Sequence, residues 1–261
     1  MDDLQYGERT AERAKVLYEE GVGAFRQGDQ ERARLLSDES LSISRELGDK
    51  AGIATALIGL SRVALRDGDY PQVRALCDES NALAQELGDR EGMVMPLHML
   101  AEVTRLEGDY DRAEELYNQS LALNEELGDR GMVGVEMHNK GYVALHKNNL
   151  QESRELFTGS LKIDQEFGSE TGVAFCIAGL AAVAGAEGDF TKATRLFGAA
   201  EAQFDRLGII LDPADKPEFD RNLEIASGGL SSAGDVSFEA ERAAGRGLTL
   251  EQAVAYALEE K

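Results

Sequence analysis

The sequence has no tryptophan and only 4 prolines among 261 residues. Scarce proline favours long helices, because proline removes a backbone donor and breaks a helix interior. No apolar run reaches the length of about 18 residues that would cross a bilayer as a helix, and no basic segment followed by an apolar one opens the chain as a secretion signal would. We therefore predict a helical protein with a cytoplasmic location and no membrane partner.

Basic residues are also scarce. The chain has 27 Lys and Arg against 49 Asp and Glu, a formal net charge of −22 at pH 7. A field of this sign repels the phosphates of nucleic acids and of anionic membranes. The charge predicts no direct contact with nucleic acid, and it favours protein partners that carry a basic surface.

Groups that carry chemistry are few. The two cysteines, Cys77 and Cys176, lie far apart in the chain without the spacing of a metal site, which is typical of thiols that act as small core residues in a reducing compartment. The chain contains no G-x-x-x-x-G-K-[ST] phosphate-binding loop, and no Ser or Cys shares a known motif with a histidine. We predict no catalytic residue, no cofactor and no metal, so the protein is not expected to be an enzyme.

The dominant positive feature is an internal repeat. One series of turn-forming pairs recurs every 40 residues, and a second series falls halfway between its members. The first series is Gly28-Asp29, Gly68-Asp69, Gly108-Asp109, Asn148-Asn149 and Gly188-Asp189, and the second is Gly48-Asp49, Gly88-Asp89, Gly128-Asp129, Gly168-Ser169 and Leu207-Gly208. The spacing predicts helices that alternate with turns every 20 residues.

The residue types in these turns support the interpretation. Glycine ends a helix in the left-handed conformation without a Cβ penalty, and asparagine, as at Asn148, is the other residue that tolerates it. An Asp or Ser directly after the glycine is suited to accept from the free N–H groups of the next helix. Pro71 fits the first turn of a helix, where its missing N–H would be unpaired.

Small residues mark three positions of each repeat, seven before the first-series turn, five after it and twelve after it. They are Gly21, Ser61, Ala101, Gly141 and Ala181, then Ala33, Val73, Ala113, Ser153 and Ala193, then Ser40, Ser80, Ser120, Ser160 and Ala200. Larger residues such as Leu57, Tyr110 and Phe157 lie between them. Small side chains at helix crossings with large ones beside them are what close antiparallel pairing requires.

The pattern Leu97-x-x-Leu100-Ala101 followed by Gly108-Asp109-Tyr110-x-x-Ala113-x-x-x-Tyr117-x-x-Ser120 resembles the tetratricopeptide repeat, with Leu for the usual Trp and Ser for the last Ala. The 40-residue period resembles the long variant of kinesin light chains and of C-terminal arrays in bacterial regulators. The resemblance implies an all-α, right-handed α-α superhelical solenoid of helix hairpins with C-terminal capping helices. We expect five repeats over residues 1–208 and the cap over 209–261.

The tail carries its own signals. We predict a helix over Glu218–Leu230, a loop or hinge from Gly228-Gly229 to Gly234, and a final helix opened by a capping box of Thr249 and Gln252. The segments 195–201, 213–215 and 245–258 resemble the end of the repeat region in LuxR-type or MalT-like transcription regulators and in bacterial signalling ATPases. The ATPase and DNA-binding modules of those families are not carried over to this segment.

In the tetratricopeptide pattern, the positions three before and one after the small residue of each first helix face the concave groove. These positions and the next helical turn supply the candidate binding residues Arg62, His98, Glu102, Arg105, His138, Tyr142 and His146. Arginine suits carboxylates, tyrosine offers apolar area, and histidine donates or accepts. Three interpretations stay open for them: solvated residues without a ligand, a peptide-binding groove, or a metal site, the last disfavoured because equivalent places on adjacent repeats are widely spaced.

The leading functional hypothesis is a non-catalytic scaffold that binds a protein or peptide through the concave face, in bacterial signalling or transcription regulation. The alternative is an intramolecular regulatory or oligomerisation segment of a larger ATPase or transcription regulator. The two differ in self-association and in binding to a separate ATPase module. The oligomeric state is not predicted.

Overall fold

A computed structural model describes residues 9–212, 215–233 and 237–259. Within these ranges the chain forms thirteen α-helices and no β-strand. The helices are α1 (Ala11–Arg26), α2 (Gln30–Leu47), α3 (Lys50–Arg66), α4 (Tyr70–Leu87), α5 (Val94–Leu106), α6 (Tyr110–Leu127), α7 (Arg130–His146), α8 (Leu150–Phe167), α9 (Glu170–Ala186), α10 (Phe190–Leu207), α11 (Lys216–Ala233), α12 (Phe238–Arg246) and α13 (Leu250–Leu258). The all-α prediction is confirmed. No described helix has the combination of length and apolar character needed to span a bilayer.

The turns lie where the repeat predicts them. The nine glycines of the two series have φ between 66° and 86°, and Asn148 has φ 61°. The next residue then caps the following helix: the Asp49 carboxylate, for example, accepts from the backbone N–H of Gly52 at 3.0 Å, and Ser169 accepts in the same way from Gly172. Asn149 is an exception, because its side chain makes no capping hydrogen bond.

One helix starts late. The even spacing predicts a helix soon after Asp89, but residues 90–93 form turns and α5 begins at Val94. Pro96 follows within the first turn of α5, where its missing N–H costs nothing. A helix that began several residues earlier would place Pro96 in its interior, where the proline ring clashes with the carbonyl group four residues before it.

The chain divides into two compact units, one ending at Leu123 and one beginning at Asn124. In the first unit α1 packs on α2 and α3 packs on α4, which confirms the predicted hairpins. The first helices of successive pairs also touch, α1 with α3 and α3 with α5. The predicted division at residue 208 stays a prediction.

The predicted small residues lie in the core, and the serines among them make hydrogen bonds. Ser40 Oγ donates to the Ala14 carbonyl at 2.7 Å, and Ser80 Oγ donates to the Ala54 carbonyl at 3.0 Å. Serine therefore suits a position where alanine is usual, because it adds a bond between paired helices with little added bulk.

The second unit is built around Phe157, which is fully buried. A Cβ atom placed on Gly141 or Gly179 would lie within 2.8 Å or 2.4 Å of its ring. The ring thus packs between the glycines of α7 and α9, two first helices of neighbouring pairs. Larger residues at either glycine would force the helices apart.

Three helices close the second unit. The α12 backbone packs directly on α10. A Cβ atom on Gly198 of α10 would lie 2.2 Å from the carbonyl oxygen of Arg242. A Cβ atom on Gly245 of α12 would lie 1.9 Å from the carbonyl oxygen of Arg195. Arg242 also pairs with Glu201 at 2.7 Å. The capping box of Thr249 and Gln252 opens α13 as predicted. Helix α12 was not predicted.

The predicted loop at Gly228-Gly229 is wrong, because α11 runs without a break to Ala233. Gly229 serves packing: a Cβ there would lie 2.3 Å from the ring of Phe190. A contact between residues this far apart in the chain is invisible to local propensity. Gly234 and residues 213–214 of the predicted tail signals lie outside the described residues.

Candidate functional site

One side of α1, α3 and α5 in the first unit carries equivalent residues at 40-residue steps. Tyr18, Ile58 and His98 form one row, and Lys15, Thr55 and Met95 form the row one turn earlier. Arg62 and Glu102 lie one helical turn after Ile58 and His98. We call this surface the first-helix face.

Two cavities indent the first-helix face and share Tyr18, Ala51 and Thr55. The Ser44 cavity has a volume of about 400 Å³ and lies among α1, α2 and α3; its lining is Ala11, Glu12, Ala14, Lys15, Tyr18, Glu19, Ser40, Ser44, Asp49, Ala51, Gly52 and Thr55. The Asp89 cavity has about 350 Å³; beside the three shared residues its lining is Ala54, Ile58, Ser80, Asp89, Glu91, Gly92 and Met95. Together they form a groove across the three helices.

Ser44 is the unusual group in this groove. Its side chain is fully buried, and its Oγ has no hydrogen-bond partner among the described residues. A Cβ atom placed on Gly52 would lie 2.6 Å from that Oγ and 2.6 Å from a carboxylate oxygen of Asp49. Only glycine leaves room for these two oxygens, so both lie close to the α3 backbone where Ser44, Asp49 and Gly52 line the cavity, a place that we call the notch. Buried hydroxyls of this kind are rare without a partner.

The candidate residues of the first unit differ in accessibility. Arg62 and Glu102 are half-buried and make no side-chain hydrogen bond or ion pair within the described ranges, so both keep charge available for a ligand. His98 is half-buried with its ring 6.2 Å from that of Tyr117. Arg105 is only 2% exposed, so it has almost no surface to offer a partner.

The candidates of the second unit lie mostly in its interior. Tyr142 is 6% exposed and belongs to the core around Phe157. The His146 ring contacts α11, with Nε2 2.7 Å from a Glu218 carboxylate oxygen and Nδ1 2.8 Å from an Arg221 nitrogen. Because arginine can only donate, Nδ1 accepts and Nε2–H donates to Glu218, which assigns a neutral tautomer. Tyr142 and His146 therefore contribute to packing within the second unit.

His138 adjoins a cluster that the sequence did not reveal. Cys176 Sγ lies 3.9 Å from His138 Nδ1, 3.3 Å from Ser160 Oγ and 3.5 Å from a carboxylate oxygen of Asp164. Burial raises the pKa of the Cys176 thiol far above its usual range. A thiol that stays protonated at neutral pH is a poor nucleophile, so Cys176 is not suited to nucleophilic chemistry.

Burial acts in the same direction on one other thiol and on one carboxyl group. Burial raises the pKa of the Cys77 thiol to about 12 and also raises the pKa of the Asp164 carboxyl. Among the described residues no three His, Cys, Asp or Glu side chains are grouped closely enough to hold a metal ion.

Sequence reasoning missed Tyr18, Lys15 and Ser44. The signal for Tyr18 was present, because the 40-residue step that joins His98 to Ile58 leads back to it. No comparable signal existed for Ser44, since serine recurs at several core positions and the lack of a partner depends on the packed helices.

Comparisons with known proteins support the repeat. The family model described as tetratricopeptide repeat matches residues 52–126. A search of curated proteins found no match. Among solved structures, BtubC from P. vanneervenii matches with a TM-score of 0.60 at 19% identity, over 78% of this chain and 90% of that one. The TPR-like repeats of a kinesin light chain from Podosopora anserina match at 0.58 and 17%, over 78% and 99%.

Two further solved structures have the same kind of fold. A Rap protein complexed with Competence and Sporulation Factor matches with a TM-score of 0.67 at 13% identity, over 88% of this chain and 62% of that one. Aspartyl phosphate phosphatase F from Bacillus subtilis matches at 0.63 and 11%, over 94% and 63%. At such identities the likeness shows a tetratricopeptide-type helical fold and nothing finer.

Proposed function

We propose that this chain is a non-catalytic scaffold that binds an extended segment of a protein or peptide on the first-helix face. The observation that carries the proposal is the groove formed by the Ser44 and Asp89 cavities, which runs across α1, α3 and α5. Its apolar floor, with Ile58 and Met95, offers area for side chains, and its polar groups offer partners for backbone amides.

Charged residues beside the groove add specificity. Arg62 and Glu102 make no side-chain ion pair within the described part of the chain, so both can pair with a ligand without breaking an existing contact. Arginine presents two parallel donors to a carboxylate, and a partner with basic groups would meet Glu102. His98 lies one helical turn before Glu102 on α5.

The structural neighbours support a binding role by analogy. One Rap protein of this fold was solved complexed with Competence and Sporulation Factor, and tetratricopeptide folds commonly serve as interaction scaffolds. A bacterial signalling setting, a cytoplasmic location, the relation to LuxR-type or MalT-like regulators, and the alternative of a regulatory or oligomerisation segment all stay proposals. Arg105, Tyr142 and His146 are left out of the proposed surface, because they are buried.

Selection from a random peptide library on the immobilised protein tests the proposal. We expect the selected peptides to lose about tenfold or more in affinity for an Arg62→Glu variant, because a charge-assisted hydrogen bond contributes about 1.5–3 kcal/mol. The measurement is fluorescence anisotropy of labelled peptides.

Arg32→Glu is the matched control. Arg32 is an exposed arginine of α2 and lies outside the first-helix face, which α1, α3 and α5 form. Equal loss of affinity in both variants would indicate a general charge effect, and failure to select any peptide would contradict the proposed function itself.

A further inference from the structure

We propose that the Ser44 cavity is a specificity pocket for the cationic end of a lysine or arginine side chain. The inference rests on the proposed function, since it assigns this side chain to the segment bound on the first-helix face. It names the chemistry that one position of that segment must have, which neither the repeat pattern nor the fold specifies.

The charges around the cavity are the first argument. Glu12, Glu19 and Asp49 line it against a single cation, Lys15. Glu12 and Glu19 are exposed and make no ion pair or side-chain hydrogen bond within the described ranges, so their charge is not already neutralised by a partner. Because these carboxylates do not converge as metal ligands, the fit is to an extended organic cation.

The inner end of the cavity is the second argument. Ser44 Oγ is fully buried without a partner among the described residues, and an Asp49 carboxylate oxygen lies beside it above Gly52. An N–H donor placed in this notch would satisfy the hydroxyl and meet the carboxylate together. A hydroxyl left unpaired in the interior costs free energy, so a ligand that pairs with it is favoured.

The walls suit the stem of a long basic side chain. Ala11, Ala14 and Ala51 line the cavity, and the half-buried ring of Tyr18 lies at its border with the Asp89 cavity. Lysine and arginine place their methylene stems on apolar surface and their charged ends among polar groups. The volume of about 400 Å³ is large enough for such a chain.

The next repeat provides an internal comparison. In the Asp89 cavity a Cβ on Gly92 would lie 2.5 Å from an Asp89 carboxylate oxygen, but its other neighbour is the Ala84 methyl at 3.4 Å. Ala84 occupies the place of Ser44, so the second notch offers a carboxylate without a hydroxyl. The two cavities therefore differ in selectivity although the backbone is repeated.

Titrations of the full chain, followed by NMR of backbone amides, test the pocket directly. The probes are N-acetyl-lysine N-methylamide, the corresponding arginine amide, and the uncharged norleucine amide of nearly the same shape as the lysine probe. We expect a basic probe to shift the amide signals of Gly52 and Thr55 in a saturable way. The norleucine amide should bind about tenfold more weakly or worse, since it lacks the charge-assisted bonds.

Variants separate the pocket from the general acidity of the protein. Ser44→Ala and Glu19→Gln should each weaken the basic probes severalfold, whereas Glu20→Gln on the same helix, outside the cavity lining, should leave them unchanged. Equal effects of Glu19→Gln and Glu20→Gln, equal binding of norleucine and lysine, or no shift at Gly52 would overturn the proposal. Much tighter binding of free cadaverine would also overturn it, by assigning the cavity to a small-molecule amine.

The outcome is independent of the library selection. Peptides that bind the first-helix face, together with basic probes that ignore the Ser44 cavity, would leave the proposed function standing and remove this inference. Basic probes that bind the cavity, together with failure to select any peptide, would support a cation pocket and contradict the interpretation that an extended segment binds.

Discussion

The buried serines Ser40, Ser80 and Ser44 of the first unit lie in two kinds of environment. Ser40 and Ser80 lie at helix crossings and donate to carbonyl oxygens of the paired helix. Ser44, one turn after Ser40 on α2, lies against the notch at Gly52, and its hydroxyl has no partner among the described residues. The first kind strengthens a helix pair, and the second is the hydroxyl that we propose pairs with a ligand.

This difference gives a stability prediction for matched variants. Ser80→Ala should lower the free energy of unfolding by about 1 kcal/mol, because it removes a buried hydrogen bond between α3 and α4. Ser44→Ala should leave it unchanged or raise it, because the hydroxyl is desolvated without compensation. Urea denaturation of both variants measures this, and an equal loss in both would contradict the assignment of Ser44.

At the scale of helices, close approaches decide where glycine is required. Gly228 and Gly229 are neighbours in α11, yet a Cβ on Gly228 meets nothing within 4 Å and one on Gly229 would lie 2.3 Å from the Phe190 ring. Local propensity treats the two residues alike and predicts a break. Packing of α11 on α10 makes only Gly229 indispensable.

We expect the two alanine variants to change stability in opposite directions. Gly228→Ala should raise the free energy of unfolding by about 0.5–1 kcal/mol through helix propensity. Gly229→Ala should lower it by about 1–3 kcal/mol through overpacking against Phe190. Thermal unfolding followed by circular dichroism distinguishes them, and stabilisation by both would show that α11 does not pack as described.

At the scale of the whole chain, the net charge of −22 opposes compaction. Arg45–Glu79 at 2.9 Å links successive hairpins and Arg130–Glu166 at 2.6 Å links the two helices of one hairpin, but the side chains of both ion pairs are about half exposed. Exposed pairs of this kind contribute about 0–1 kcal/mol each. Repulsion among the 22 surplus negative charges is therefore expected to exceed their effect.

Sodium chloride should consequently stabilise the protein. Raising it from about 0.1 M to about 1 M shortens the Debye length from about 10 Å to about 3 Å, which screens the repulsion between distant carboxylates. The Tm from calorimetry should rise by a few degrees. A steady fall in Tm with salt would mean that the surface ion pairs outweigh the excess charge.

The turns and the pairing of helices followed from the sequence alone. A glycine in the left-handed conformation followed by an Asp cap, as at Gly48-Asp49, is a local signal that ends one helix and caps the next. Its recurrence every 40 residues therefore predicted the hairpins. The crossings followed too, because a position that is always small must lie where helices meet.

Accessibility and unpaired groups were decided only by the tertiary structure. Arg105 and Tyr142 belong to the predicted face by periodicity, yet both are buried, whereas Arg62 and Glu102 keep charge near solvent. Ser44 has the same chemistry as Ser40 and differs only in what surrounds it. Such differences depend on side chains brought from other helices, and a repeat pattern records the position of a residue without recording its neighbours.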